Sequence, residues 1–136
     1  MRPFHLAIPV NNLQEAYDFY VNILGCSTGR KSAQWIDYNF YGHQLVTHLD
    51  PTIKKINCNE VDGKQIPSSH FGIILEWQEW HDLADRLRAK KVKFIIEPHL
   101  RFKDITGEQA TMFFSDPSGN AIEMKSFKNI EQLFAV

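Results

Sequence analysis

The chain repeats itself once, and an internal duplication of this size restricts the folds open to it more than any other feature. FHLAIPV at 4–10 is a short, β-prone apolar run closed by Asn11-Asn12. Asn12 followed three residues later by Glu15 forms a capping-box pattern, in which a side chain satisfies a free backbone N–H at a helix start. Leu13, Ala16, Tyr17, Phe19, Tyr20 and Ile23 then make an apolar stripe at helical spacing, and Gly25 provides the stop. WIDYNF (35–40) and HQLVTHL (43–49) read as strands joined through Tyr41-Gly42 as a tight hairpin. A linking loop over 50–68, with Pro51, Gly63 and Pro67, separates this block from the next.

After the loop the same order returns. HFGIILE (70–76) reads as a strand, and EWHDLADRLRAKK (79–91) as a helix burying Trp80, Leu83, Ala84 and Leu87. KFIIEPH (93–99) is a strand that Pro98 is expected to stop. TMFFSD (111–116) and NAIEMKSF (120–127) form a hairpin around DPSGN. The copies align with His5 on His70 at an offset of 65, Phe19 on Leu83 and Ile23 on Leu87 at 64, and Gly42 on Gly119 at 77.

The pattern predicts an α+β fold of two paired βαβββ modules. Their sheets form a curved, cup-like surface around a central cavity, with the helices outside. The expected organisation is a single domain over 1–136, with module one at about 1–60, module two at about 66–128 and a tail at 129–136.

Charge excludes some function classes. A net charge of −1 draws the chain neither to nucleic acid nor to anionic lipid, and the basic cluster 86–93 reads as the solvated face of a helix. Cys26 and Cys58 make no disulfide framework and no CxxC spacing, so both read as core or loop residues of a reduced, cytoplasmic protein. MRPFHLAIPV lacks the pattern of a signal peptide, and no apolar run approaches membrane-spanning length.

Three residues carry the chemistry of the cavity. His5 and His70 hold equivalent positions in the first strand of each copy, and each shares its face with a small residue, Ala7 or Gly72, that leaves room beside it. Glu123 stands in the last strand, on the face that also carries Ala121, Lys125 and Phe127. A carboxylate buried alone is costly, whereas two neutral imidazoles and one carboxylate suit a divalent cation. That set fits Fe(II), and also Mn, Co, Ni or Zn.

With these residues in place, the chain resembles the vicinal oxygen chelate superfamily of glyoxalases, fosfomycin-resistance proteins, epimerases, bleomycin-sequestering proteins and extradiol dioxygenases. FHLAIPVNNLQEAYDFYVNILG resembles its opening strand and helix, SSHFGIIL its second metal strand, and DPSGNAIEM its closing signature. The resemblance implies metal ligation by His5, His70 and Glu123. Some members use a fourth ligand from the first copy. Aligning the hairpins puts Val46 opposite Glu123 and His48 opposite Lys125, which implies a three-ligand site.

The extradiol-dioxygenase signature requires a tyrosine where this chain has Phe113, and a G-x-H where it has Gly107-Glu108-Gln109. What the resemblance implies is a metal-dependent enzyme for a small substrate with adjacent oxygens, dioxygenase-like with Fe(II). The alternatives are non-redox glyoxalase, isomerase or transferase chemistry, and metal-free binding of a small molecule such as an antibiotic. Lys125 and His48 are the candidate acid–base residues, and Lys125 could equally clamp an anion. Arg101 and Phe113 are candidate substrate contacts, Arg101 for a carboxylate or phosphate. Small members of the superfamily are often dimers, so a homodimer is the expectation.

Overall fold

The computed structural model describes residues 1–53 and 66–136, so Cys58 and most of the loop expected over 50–68 lie outside the described residues. The chain divides into two compact units, one built on residues 1–53 with Asp116–Asn120, the other on 66–115 with Ala121–Val136.

In the first unit, β1 (His5–Val10), β2 (Ser27–Lys31), β3 (Trp35–Phe40) and β4 (His43–Leu49) form one sheet in the order β1-β4-β3-β2. Helix α1 (Leu13–Tyr17) starts at Asn12, whose side-chain oxygen accepts from the Glu15 N–H at 2.9 Å. It continues as π-helical turns over Asp18–Ile23, and Gly25 (φ 80°) ends it. The expected cap and stop are thus both used. Ile8 and Val10 of β1 pack with Tyr38, Phe40 and Leu45 in the core with Phe19 and Tyr20, while His5, Ala7 and Pro9 face away from it. Tyr41 (φ 52°) and Gly42 (φ 86°) both take the left-handed conformation that a two-residue hairpin of this twist demands. β2 was not anticipated, because STGRK is polar and exposed along its whole length and is held as a strand by pairing with β3.

The second unit holds α2 (Trp77–Ala89) and a three-stranded sheet, β5 (Phe94–Arg101), β6 (Gln109–Ser115) and β7 (Ala121–Phe127), in the order β5-β6-β7. α2 buries the expected Trp80, Leu83, Ala84 and Leu87, and the Trp80 indole N–H donates to the Met124 carbonyl at 2.8 Å. β5 runs straight through Pro98, contrary to the expected stop. It is an edge strand, and its ladder shifts register between Ile96 and His99, so the missing N–H breaks no required bond.

The expected strand 70–76 survives as paired backbone with isolated bridges, Phe71 to Ile122 and Ile74 to Lys125. It lies parallel to β7: Phe71 N–H donates to Ala121 at 3.2 Å, Glu123 N–H to Phe71 at 2.8 Å, Lys125 N–H to Ile73 at 3.0 Å and Leu75 N–H to Lys125 at 2.8 Å. Regular strand geometry fails at Gly72, where an added Cβ would fall on the Glu123 carbonyl oxygen. The space a side chain at Gly72 would take is therefore filled by the backbone of β7.

The duplication is visible in register. Leu6 opposes Leu45 and Pro9 opposes His48 in parallel pairing, as Phe71 opposes Ile122 and Ile74 opposes Lys125. Val46 in β4 thus occupies the place that Glu123 holds in β7. Among the described residues no helix is long and apolar enough to cross a membrane.

Candidate metal centre

Glu123 sits in the middle of β7 with its side chain 13% exposed, and three neighbours converge on it. The Thr111 hydroxyl of β6 donates to Oε1 at 2.7 Å. Lys125 Nζ lies 3.5 Å from the same oxygen. His70 Nε2 lies 3.3 Å from Oε2. Strand alternation explains the first two contacts: Thr111 is paired across the ladder with Lys125, one step diagonal to Glu123, and both point to the same face.

The other nitrogen of His70 settles its tautomer. Nδ1 is 2.8 Å from the Pro67 carbonyl, which can only accept, so Nδ1 carries the hydrogen. In the neutral ring Nε2 then presents a lone pair toward a carboxylate oxygen. Two electron-pair donors facing each other at this distance repel unless they share a cation, either a proton on Nε2 or a metal ion. A backbone carbonyl that orients an imidazole in this way is a common support for a metal-ligating histidine.

His5, in the first unit, is prepared alike. Its Nδ1 lies 2.8 Å from Gln44 Oε1, and the Gln44 amide nitrogen is directed to Asp37 Oδ2 at 3.4 Å. The Asp37 contact orients the amide so that its oxygen faces His5, which leaves His5 Nε2 with the free lone pair. The donor chemistry of all three residues therefore fits a divalent cation. Among the described residues, no three His, Cys, Asp or Glu side chains converge as a group that could hold a metal ion.

Phe113 is buried directly across the ladder from Glu123, and its ring meets the His70 imidazole edge-on at 5.0 Å. It positions the imidazole and offers no hydroxyl. His48 is exposed on β4, in register with Pro9 and Trp35. Arg101 ends β5 with its guanidinium 5.0 Å over the Phe102 ring, in register with Gln109. Sequence reasoning missed Thr111, Pro67 and Gln44. Pairing the strands across DPSGN would have found Thr111, and the His5–Gln44 register would have found Gln44; a backbone carbonyl such as Pro67 leaves no residue-type signal.

Two cavities open on this face within the second unit. One of about 250 Å³ is lined by His70, Gly72, Glu123 and Lys125. The other, about 490 Å³, begins at Lys125 and runs past Phe127.

A duplicated βαβββ chain with sheets of this order defines a class of protein, the vicinal oxygen chelate fold. The sequence model of the Glyoxalase/Bleomycin resistance protein/Dioxygenase superfamily matches residues 2–124, and the chain belongs to that superfamily. A glyoxalase/bleomycin resistance protein/dioxygenase from Alicyclobacillus acidocaldarius is 34% identical, with TM-score 0.79 over 98% of this chain and 96% of its own. A genomically encoded fosfomycin resistance protein from Listeria monocytogenes shares the fold at 14% identity, with TM-score 0.71 over 97% of each chain. A lactoylglutathione lyase from Agrobacterium tumefaciens shares it at 14% identity, with TM-score 0.64 over 99% of this chain and 97% of its own. No curated protein matches the chain.

Proposed function

We propose that this chain is a divalent-metal-dependent, dioxygenase-like enzyme that takes Fe(II) and acts on a small substrate with two adjacent oxygens. His5, His70 and Glu123 would hold the metal, in a single domain of two modules. The observation that carries this reading is the pairing of His70 Nε2 with Glu123 Oε2 at 3.3 Å while Nδ1 is committed to the Pro67 carbonyl. A bound divalent cation supplies Lewis-acid stabilisation of charge developing on a substrate oxygen.

The chain's own residues do the rest. Thr111 holds one carboxylate oxygen of Glu123, which restricts rotation of the side chain. Phe113 packs the imidazole of His70 in place. Lys125 presents an ammonium group to the 250 Å³ cavity, where it can hold an anionic substrate group.

A second reading, non-redox isomerase, lyase or transferase chemistry with Mn, Ni, Co or Zn, draws on Phe113. Where a catechol dioxygenase has a tyrosine, this chain puts a buried ring without a hydroxyl.

The test is metal content after anaerobic loading with Fe(II), Mn(II) or Ni(II), compared between the wild type, Glu123→Ala and Thr111→Val. Glu123→Ala should abolish uptake, and Thr111→Val should weaken it by about tenfold, as loss of a supporting hydrogen bond does at other metal sites. Wild-type protein that takes up no metal, or Glu123→Ala protein that keeps it, ends the proposal. Oxygen consumption by the Fe(II) form with catechols and 2-oxo compounds then separates the two readings.

A further inference from the structure

The larger cavity has features the metal reading does not use. It is lined by Lys125, Phe127, Ile74, Phe102, Leu133 and Gln109, all within the second unit. Four of these walls are apolar, and its volume of about 490 Å³ lies within the range of sites that take organic molecules rather than two- or three-carbon acids. Lys125 is the one charged residue common to the linings of both cavities.

β7 sets the order along this surface. Glu123, Lys125 and Phe127 point to one face, at intervals of about 7 Å. A molecule reaching from Glu123 to Phe127 is therefore about 14 Å long. Lys125 is engaged with Glu123 at 3.5 Å, and an ammonium has three hydrogens to donate, so it can hold a second oxygen. Gln109 opposes Phe127 across the ladder, and its buried side-chain oxygen has no hydrogen-bond partner among the described residues. Gln109 is 8% exposed, and orphan acceptors at such depth are uncommon in a folded protein. A donor on a bound molecule would satisfy it.

We propose that the second unit binds an amphipathic organic anion. Lys125 holds its charged head, and the recess walled by Ile74, Phe102, Phe127 and Leu133 takes its apolar tail. Calling this molecule the substrate rests on the function proposed above; the recess itself does not. Gln109 accepts a hydrogen bond from a hydroxyl or N–H on the tail, which selects among anions of similar length.

The experiment uses the full chain stripped of metal with chelator, titrated calorimetrically with 2-oxobutanoate, 2-oxohexanoate and 2-oxooctanoate. Affinity should rise about threefold to fourfold per added methylene, about a hundredfold across the series, because each methylene leaves water for an apolar wall. Lys125→Met should weaken every member by about tenfold. Leu133→Trp, at a half-buried position in the C-terminal tail, should fill the recess and flatten the series while leaving the shortest acid unaffected.

Equal affinity across the series in the wild type, which needs no variant, overturns the proposal. So does a length dependence that survives Leu133→Trp, or unchanged binding by Lys125→Met. Metal uptake is measured separately on the same preparations. Protein that binds the series but takes no metal would sustain the recess and sink the metal enzyme.

Discussion

Gly72 has no side chain because there is no room for one. A Cβ built on it would fall on the Glu123 carbonyl oxygen and 2.6 Å from its carbonyl carbon. Both atoms are backbone, so nothing can swing aside, and the two chain segments would have to separate. Gly72→Ala should cost about 3 kcal/mol of stability, the upper end of what overpacking costs, because the clash is with backbone even though Gly72 itself is exposed. The movement would displace the backbone that carries Glu123, so metal uptake should fall with it. Urea unfolding of the variant reads the first effect, and an unchanged midpoint would contradict the close approach. The glycine next to His70 was legible in the sequence as a small residue, but its reason was not. Periodicity reports which face a residue takes, not which backbone lies against that face.

At the scale of elements, the helix that supports the site is held by one directional bond as well as by packing. α2 presents Trp80, Leu83, Ala84 and Leu87 on one side, and the indole N–H of Trp80 reaches the Met124 carbonyl between Glu123 and Lys125. Trp80→Phe keeps most of the apolar area and removes the donor, so it should destabilise by about 1 kcal/mol. Trp80→Ala empties the site and should cost about 4 kcal/mol. Equal midpoints for Trp80→Phe and wild type in urea would show that packing alone anchors the helix.

The buried face of this helix was legible, because its four buried residues follow the 3.6 period, although the helix runs over Trp77–Ala89 rather than the expected 79–91. So was the hairpin at Tyr41-Gly42, where turn chemistry leaves few choices. β2 was not, since a polar strand exposed on every residue has no periodic signal and exists through its partner β3. Pro98 misled for a related reason. Its effect depends on whether its strand is an edge, and sheet order is decided by other segments. The candidate site shows the same division. The duplication pointed to His5, His70 and Glu123, and the hairpin alignment to Val46 opposite Glu123, a correspondence the observed registers repeat. The support from Thr111, Gln44 and the Pro67 carbonyl comes from cross-strand neighbours and backbone, which a linear reading does not rank.

At the scale of the whole chain, the stretch DPSGN does something its position in the second copy does not suggest. Asp116–Asn120 joins β6 to β7 but belongs to the first compact unit. There the Asp116 carboxylate accepts from the Tyr20 hydroxyl at 2.8 Å, from the Asn120 side chain at 2.8 Å, and from the Ser118 and Asn120 backbone N–H groups at 2.9 Å each. Asn120 also donates to the Pro9 carbonyl, and Ser118 bonds Asn11. The turn therefore ties late sequence to the first unit's core.

Burial pushes the Asp116 carboxyl above its ordinary 3.8, against the opposing pull of the hydrogen bonds from Asn120, Tyr20 and Ser118. Burial also pushes the Tyr20 hydroxyl well above 10, with Asp116 adding to the shift, so Tyr20 stays a donor. A carboxyl that binds its proton more tightly folded than unfolded contributes stability that is complete below pH 3.8 and fades as pH rises through the raised value. Asp116→Asn cannot titrate and cannot accept with both atoms, so it should be destabilised throughout by about 2 kcal/mol. Its deficit relative to wild type should nevertheless shrink as pH climbs above 3.8, because only the wild type loses the protonation contribution. Urea midpoints of both proteins from acid to neutral pH measure the gap, and a gap that widens with pH would mean the buried carboxylate is stabilised by its four donors more than burial penalises it.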